Sequence, residues 1–292
     1  MKKVIQLLSV LVLILLAACS TDANSNAEES ASEKDKEVAT NEESQNSEGN
    51  NKEDNKEEDN KKEENKEETK EEETKPEEEV EKKYALNPAF WGLEPIGDAE
   101  SEAVLLTIDD APDKHAVEMA KTLKEIDAPA IFFVNGHFMD TEEEKANVKE
   151  IHDMGFEIGN HTMSHSDLKS LSEEKQREEI VKLNDMIEEV IGERPKFFRA
   201  PFGSNTDFSK ALVKEEGMLL MNWTYGYDWN KEYQNKAAIT DIMVNSPLLQ
   251  DGANLLMHDR DWTAAGLADI VKGLRDKGYS MIDPETIDTE LE

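Results

Sequence analysis

Seven residues able to carry metal or proton-transfer chemistry fall in five short clusters: Asp109-Asp110, His161 with His165, Arg199, Asp228 and His258. Two histidines at i and i+4 face the same way on one helical turn. With a carboxylate they make a three-ligand divalent site that leaves positions for water and substrate. An imidazole beside a carboxylate is suited to moving protons near neutral pH. Each cluster also has a plainer reading. HxxxH is often incidental, Asp109-Asp110 could be a helix N-cap pair ahead of Asp113, Arg199 could serve a structural ion pair, and His258 could be a satisfied core histidine. Phe197, Phe198 and Trp223 read as core, whereas Trp229, beside Asp228 at a loop start, fits packing and ligand contact equally. His115, His137 and His152 lie in or near helices or turns and read as structural or surface residues.

The elements that would position these clusters alternate along the chain. Short apolar runs at 104–108, 131–134, 157–160, 197–200, 219–223, 255–257 and 279–282 have the length and composition of buried strands. Amphipathic stretches near 114–126, 141–154, 172–191, 207–216, 237–243 and 263–277 separate them. Such alternation predicts a parallel sheet with crossover helices. About seven strands without a dinucleotide glycine fingerprint favour an α/β fold of the distorted (β/α) barrel type over an open doubly wound sheet. Each chemical cluster follows the C-terminal end of an expected strand, and in a parallel barrel those ends share one face.

At this point a family resemblance is carried by five ordered motifs. Thr107-Ile108-Asp109-Asp110-Ala111-Pro112, the HTMSH run from His161 to His165, RAPF from Arg199 to Phe202, Asp228-Trp229, and Leu256-Met257-His258 resemble the motifs of the polysaccharide deacetylases. That family is carbohydrate esterase family 4, or the NodB homology domain, and the resemblance covers about residues 102–283. It implies that Asp110, His161 and His165 hold one divalent metal, zinc in most members, with cobalt or another ion able to serve. It further implies Asp109 as general base toward the attacking water, with Arg199 orienting it. His258 would be the acid toward the leaving amine, kept cationic by Asp228. The backbone N–H of Phe202 would receive the oxyanion, and Leu256 and Trp229 would line the acetyl pocket. Three positions depart from the family pattern. Ala111 replaces glycine, which would cost about 1 kcal/mol or more on left-handed backbone; Phe202 replaces tyrosine; and Tyr225 stands where an additional aspartate is frequent.

The first nineteen residues read as a signal. Lys2 and Lys3 precede an apolar run from Val4 to Leu16, too short to span a bilayer comfortably, and Leu16-Ala17-Ala18-Cys19 resembles a bacterial lipobox. Cys19 is the single cysteine, so an intrachain disulfide and a cysteine metal site are excluded. Residues 20–84 carry almost no large apolar side chain and read as a disordered Glu/Lys/Asn-rich linker, able to reach on the order of 200 Å when extended. The catalytic domain is expected from 85 to 292. The net charge of −34 argues against a nucleic-acid partner. Lipid attachment at Cys19 would place the domain outside the cytoplasmic membrane, facing a cell wall, in contact with the membrane through its anchor alone. The expected reaction is therefore N-deacetylation of a cell-surface glycan, with peptidoglycan N-acetylglucosamine ahead of N-acetylmuramic acid, chitin oligomers and other glycans. Two alternatives are a weakly active or inactive glycan-binding lipoprotein and an esterase acting on O-acetyl groups.

Overall fold

The nine residues from Ala103 to Ala111 are all buried, although Thr107, Asp109 and Asp110 among them are polar. A central parallel strand covered on both faces requires this burial, and the polar residues mark its functional end. The computed structural model describes residues 80–290. The signal-peptide reading, Cys19 and the linker up to residue 79 lie outside the described residues.

A hairpin of β1 (Tyr84–Asn87) and β2 (Gly92–Pro95) comes first, one residue ahead of the expected domain start. The chain continues through β3 (Ala103–Ala111), α1 (Ala116–Glu125), β4 (Ile131–Val134), α2 (Glu142–Asp153) and β5 (Glu157–Asn160). It then forms α3 (Glu173–Ile191), β6 (Phe197–Phe198), α4 (Asp207–Glu215), β7 (Leu219–Leu220), α5 (Lys236–Asn245), β8 (Asn254–His258), α6 (Asp261–Asp276) and β9 (Ser280–Met281). The larger sheet has seven strands in the order β7-β6-β5-β4-β3-β8, with β9 also paired to β3, and every pairing is parallel. Past β7, Tyr225 forms a parallel bridge to Leu255, and the Leu256 N–H donates to the Tyr225 carbonyl at 2.8 Å. That bridge joins the two sheet edges into the distorted barrel expected from the strand–helix alternation.

Three strands, β6, β7 and β9, are shorter than their apolar runs, and the first two have a local cause. Pro201 and Gly203 start a 3-10 turn directly after β6. Beyond β7, the Asn222 carbonyl accepts from Arg199 Nη2 and Asn254 Nδ2 rather than from a neighbouring strand. Backbone groups diverted to side chains in this way cannot continue a ladder.

Period-two alternation sorts the core. Leu106, Ile108 and Phe132 face the helices, where they meet Met119, Leu123 and Ile270. Leu105, Ile131, Phe133 and Phe197 face inward and pack with Tyr84 and Leu93 of the hairpin. Burying each such side chain contributes about 1.5–3 kcal/mol. The inward set on β3 continues upward through Thr107 to Asp109. The hairpin closes the opposite end: the Leu93 N–H donates to the Gly252 carbonyl, and Lys83 N–H to that of Thr286.

Helix starts follow from local chemistry. Thr141 with Glu144 forms a capping box on α2, and Ser172 accepts from the Lys175 N–H on α3. Helix α1 is different, because its leading N–H groups, those of Lys114, His115 and Ala116, donate to the buried Asp259 carboxylate at 2.8, 2.6 and 3.0 Å. The cap therefore comes from the loop after β8, which leaves Asp109 and Asp110 free for another use. Among the described residues no helix is long and apolar enough to cross a membrane.

Candidate active site

Consecutive residues in a regular strand point to opposite faces, so Asp109 and Asp110 could not share a pocket on an ideal β3. The register with β4 shifts between Ile108 and Ala111, and Asp110 takes φ 63°. This irregularity turns both carboxylates toward the same space. Ala111 lies outside the left-handed residues, so the strain expected there does not arise; Asp110 carries the unusual backbone instead, and short polar side chains tolerate it better than most.

The two histidines come together without a helix. Residues 161–165 follow β5 as a loop, with Thr162 and His165 at φ 70° and 55°. The expectation of a shared helical turn is thus corrected. The loop is fixed by the Asn160 side chain accepting from Thr162 N–H at 2.9 Å, and by Glu179 of α3, whose carbonyl and carboxylate accept from the N–H groups of Met163 and Ser164.

His161 Nδ1 lies 2.7 Å from the Arg199 carbonyl, which accepts only, so Nδ1 carries a proton and Nε2 is the nitrogen turned to the site. That Nε2 sits 3.5 Å from Asp109 Oδ2 and 3.9 Å from Asp110 Oδ1, while His165 Nε2 is 3.5 Å from the same Asp110 oxygen. Donor atoms of Asp110, His161 and His165 lie within 4.8 Å of one another. Burial, reinforced by neighbouring His161, holds the His165 pKa below its usual value despite Asp110, which favours the neutral ligand form. Burial would raise the Asp110 pKa, but His258, His161, His165 and Arg260 together hold it low, so the carboxylate is ionised. A carboxylate oxygen and two imidazole nitrogens are a donor set that fits a divalent ion.

Arg199 is fully buried and reaches up the barrel interior. It donates to Thr107 Oγ1 at 2.8 Å, Asp109 Oδ1 at 2.7 Å and the Asn222 carbonyl at 2.9 Å, while stacking 4.4 Å from the Phe133 ring centre. A guanidinium so anchored fixes Asp109, leaving Oδ2 toward the pocket. Across the pocket, Asp228 accepts from His258 Nδ1 at 2.7 Å, from His258 N–H at 2.6 Å and from Thr263 Oγ1 at 2.9 Å. Burial would lower the His258 pKa, but the Asp228 hydrogen bond and charge, with Asp109 and Asp110 beyond, raise it overall. His258 therefore favours its cationic form.

Asp109, Asp110, His161, His165 and His258 line a pocket of about 460 Å³. Leu256 and Trp229 form its apolar wall, and the Phe202 ring is 68% exposed at the rim. The Phe202 N–H belongs to a short helical start, where donors have no partner within the helix. Trp223, read from sequence as core, lines the pocket instead, with its ring 6.4 Å from that of Trp229. It follows β7 where the strand pattern stops, so its side chain emerges at the mouth. Tyr225 is buried and donates to the Met243 carbonyl at 2.7 Å, so it replaces a pocket carboxylate with core packing. Arg260 was missed; it lines the pocket and donates to Asp110 Oδ2 at 2.6 Å. Its position just beyond His258 at a strand's C-terminal end is the same signal that marked the other clusters.

Fold and site together define a parallel α/β barrel with a carboxylate–histidine centre opposite a carboxylate–imidazole pair. A family model described as polysaccharide deacetylase matches residues 96–221. A peptidoglycan-N-acetylglucosamine deacetylase of Bacillus cereus is 33% identical over 197 residues, spanning 62% of this chain and 68% of that protein. A peptidoglycan-N-acetylmuramic acid deacetylase of Bacillus subtilis is 33% identical over 190 residues, spanning 63% of this chain but 38% of that protein. The solved structure of a CE4 family pseudoenzyme from Bacillus anthracis superposes with a TM-score of 0.57 at 28% identity, covering 62% of this chain and 63% of that one. The chain belongs to the polysaccharide deacetylase family.

Proposed function

We propose that this chain is a metal-dependent hydrolase removing N-acetyl groups from a cell-surface glycan, most readily peptidoglycan N-acetylglucosamine. One observation carries the reading: Asp109 Oδ2 and His258 face a single pocket from opposite walls, and each is held by a buried partner of opposite charge, Arg199 and Asp228. Asp110, His161 and His165 would hold a divalent ion, which would supply Lewis-acid polarisation of the amide carbonyl and a more acidic water. Asp109 Oδ2 takes the proton of the attacking water, since Arg199 occupies its other oxygen. The Phe202 N–H receives charge developing on the carbonyl oxygen. His258 Nε2 passes a proton to the departing nitrogen as the C–N bond breaks, giving acetate and an amino sugar. Leu256, Trp229 and Trp223 exclude water beside the acetyl methyl.

Similarity to deacetylases of both N-acetylglucosamine and N-acetylmuramic acid supports the peptidoglycan assignment, and similarity to a pseudoenzyme favours a second reading, glycan binding without turnover. Acetate release by the full chain from N-acetylglucosamine oligomers and from peptidoglycan separates them. Release should fall to background in chelator and return with zinc or cobalt. Retained activity in chelator would remove the metal assignment, and glycan binding without release under several metals would establish the second reading.

We also propose lipid anchoring at Cys19, which the lipobox-like Leu16-Ala17-Ala18-Cys19 run supports. Cells fed a labelled fatty acid should mark the wild-type chain and leave Cys19→Ser unmarked; equal labelling of both would rule the anchor out.

A further inference from the structure

We infer that Arg260 is the positioning residue that fixes the metal-binding oxygen of Asp110, an inference that rests on the metal-dependent reading above. The two adjacent carboxylates are handled alike. Asp109 gives Oδ1 to Arg199 and turns Oδ2 toward His161, while Asp110 gives Oδ2 to Arg260 Nη2 at 2.6 Å and turns Oδ1 toward His165 at 3.5 Å. Each aspartate thus spends one oxygen on a guanidinium and presents the other to the site.

Arg260 is itself held in place. Its Nη1 donates to the Asp259 carbonyl at 2.9 Å and lies 3.6 Å from Asp113 Oδ2. Because Asp259 also caps α1, the loop that carries Arg260 is tied to the helix following Asp110. Asp110 needs such a partner, since it stands on left-handed backbone at a strand irregularity, where regular packing does not dictate its rotamer.

Two effects oppose each other here. A guanidinium repels a nearby cation, yet hydrogen-bond partners of metal-ligating groups are generally worth about 10–100-fold in affinity. The carboxylates of Asp110 and Asp113 both face the guanidinium and offset much of its charge, so orientation outweighs repulsion. Removing Arg260 therefore weakens metal binding.

The test is a cobalt(II) titration of the full chain, read by the visible absorption band that His165→Ala abolishes; that control separates the pocket from adventitious binding along the acidic N-terminal region. Arg260→Ala should raise the cobalt dissociation constant about tenfold or more, and Arg260→Lys should recover part of the loss. Lys236→Ala, which removes a charge paired with Asp269 away from the pocket, should leave it unchanged. Should Arg260→Ala fail to fold by near-ultraviolet circular dichroism, Arg260→Gln and Arg260→Lys make the same comparison. Wild-type affinity, or tighter binding, in the folded Arg260 variants would overturn the inference while leaving the metal reading intact. A wild-type chain with no His165-dependent band would overturn both.

Discussion

Asp109→Asn should lower acetate release about 10²- to 10⁴-fold, the range general-base removal commands, while the chain keeps its fold and its metal. Asparagine preserves the size of the side chain and an oxygen for Arg199, but it presents no basic oxygen to the attacking water. The substitution also leaves the fully buried Arg199 guanidinium without a counter-charge. Breaking a buried ion pair commonly costs about 3–5 kcal/mol, and the remaining acceptors, Thr107 Oγ1 and the Asn222 carbonyl, soften that loss. Thermal melting should therefore fall measurably, and activity must be compared where circular dichroism shows both proteins folded. Cobalt binding should survive, because Asp110, His161 and His165 are untouched. Activity within tenfold of wild type would remove Asp109 from the role of base.

Asp228→Asn should move the alkaline limb of the pH–rate profile toward lower pH. With His258 as the proposed acid, activity is lost as pH rises through its pKa. Asp228 raises that pKa against the opposing effect of burial; without the carboxylate's charge, His258 deprotonates earlier. Each unit of displacement is tenfold in the protonated fraction on that limb. The acid limb should stay in place, so the profile narrows. The same pair has a stability signature of definite sign. A histidine raised on folding contributes fully below its unfolded pKa of about 6.5 and loses that contribution as pH rises through the higher folded value. An alkaline limb unmoved in Asp228→Asn would mean that another group protonates the leaving nitrogen.

The barrel and most of the site were legible because they rest on two periodicities. Buried runs between amphipathic stretches give the parallel sheet, and period two along β3 carries Leu105, Thr107 and Asp109 up one inner face. The pairing of Arg199 with Asp109 and of Asp228 with His258 then follows from strand ends converging. Less legible was anything set by local irregularity. His161 and His165 meet through positive-φ loop residues, which spacing alone represents as a helical turn. Trp223 reads as core because it adjoins an apolar run, yet the strand has already ended at Leu220. Arg260 escaped because an arginine at a helix start has many plain uses, and its aim at Asp110, 150 residues away in sequence, depends on the loop that Asp259 ties to positions 114–116.

The hairpin has a bearing on what can be bound. Lys83 is secured to Thr286 near the N-terminal ends of the strands, whereas the pocket opens at their C-terminal ends. The six residue steps from Ala103 to Asp109 along β3 separate the two by roughly 20 Å. A polymer lying across the pocket therefore does not meet the strand through which the chain joins the domain.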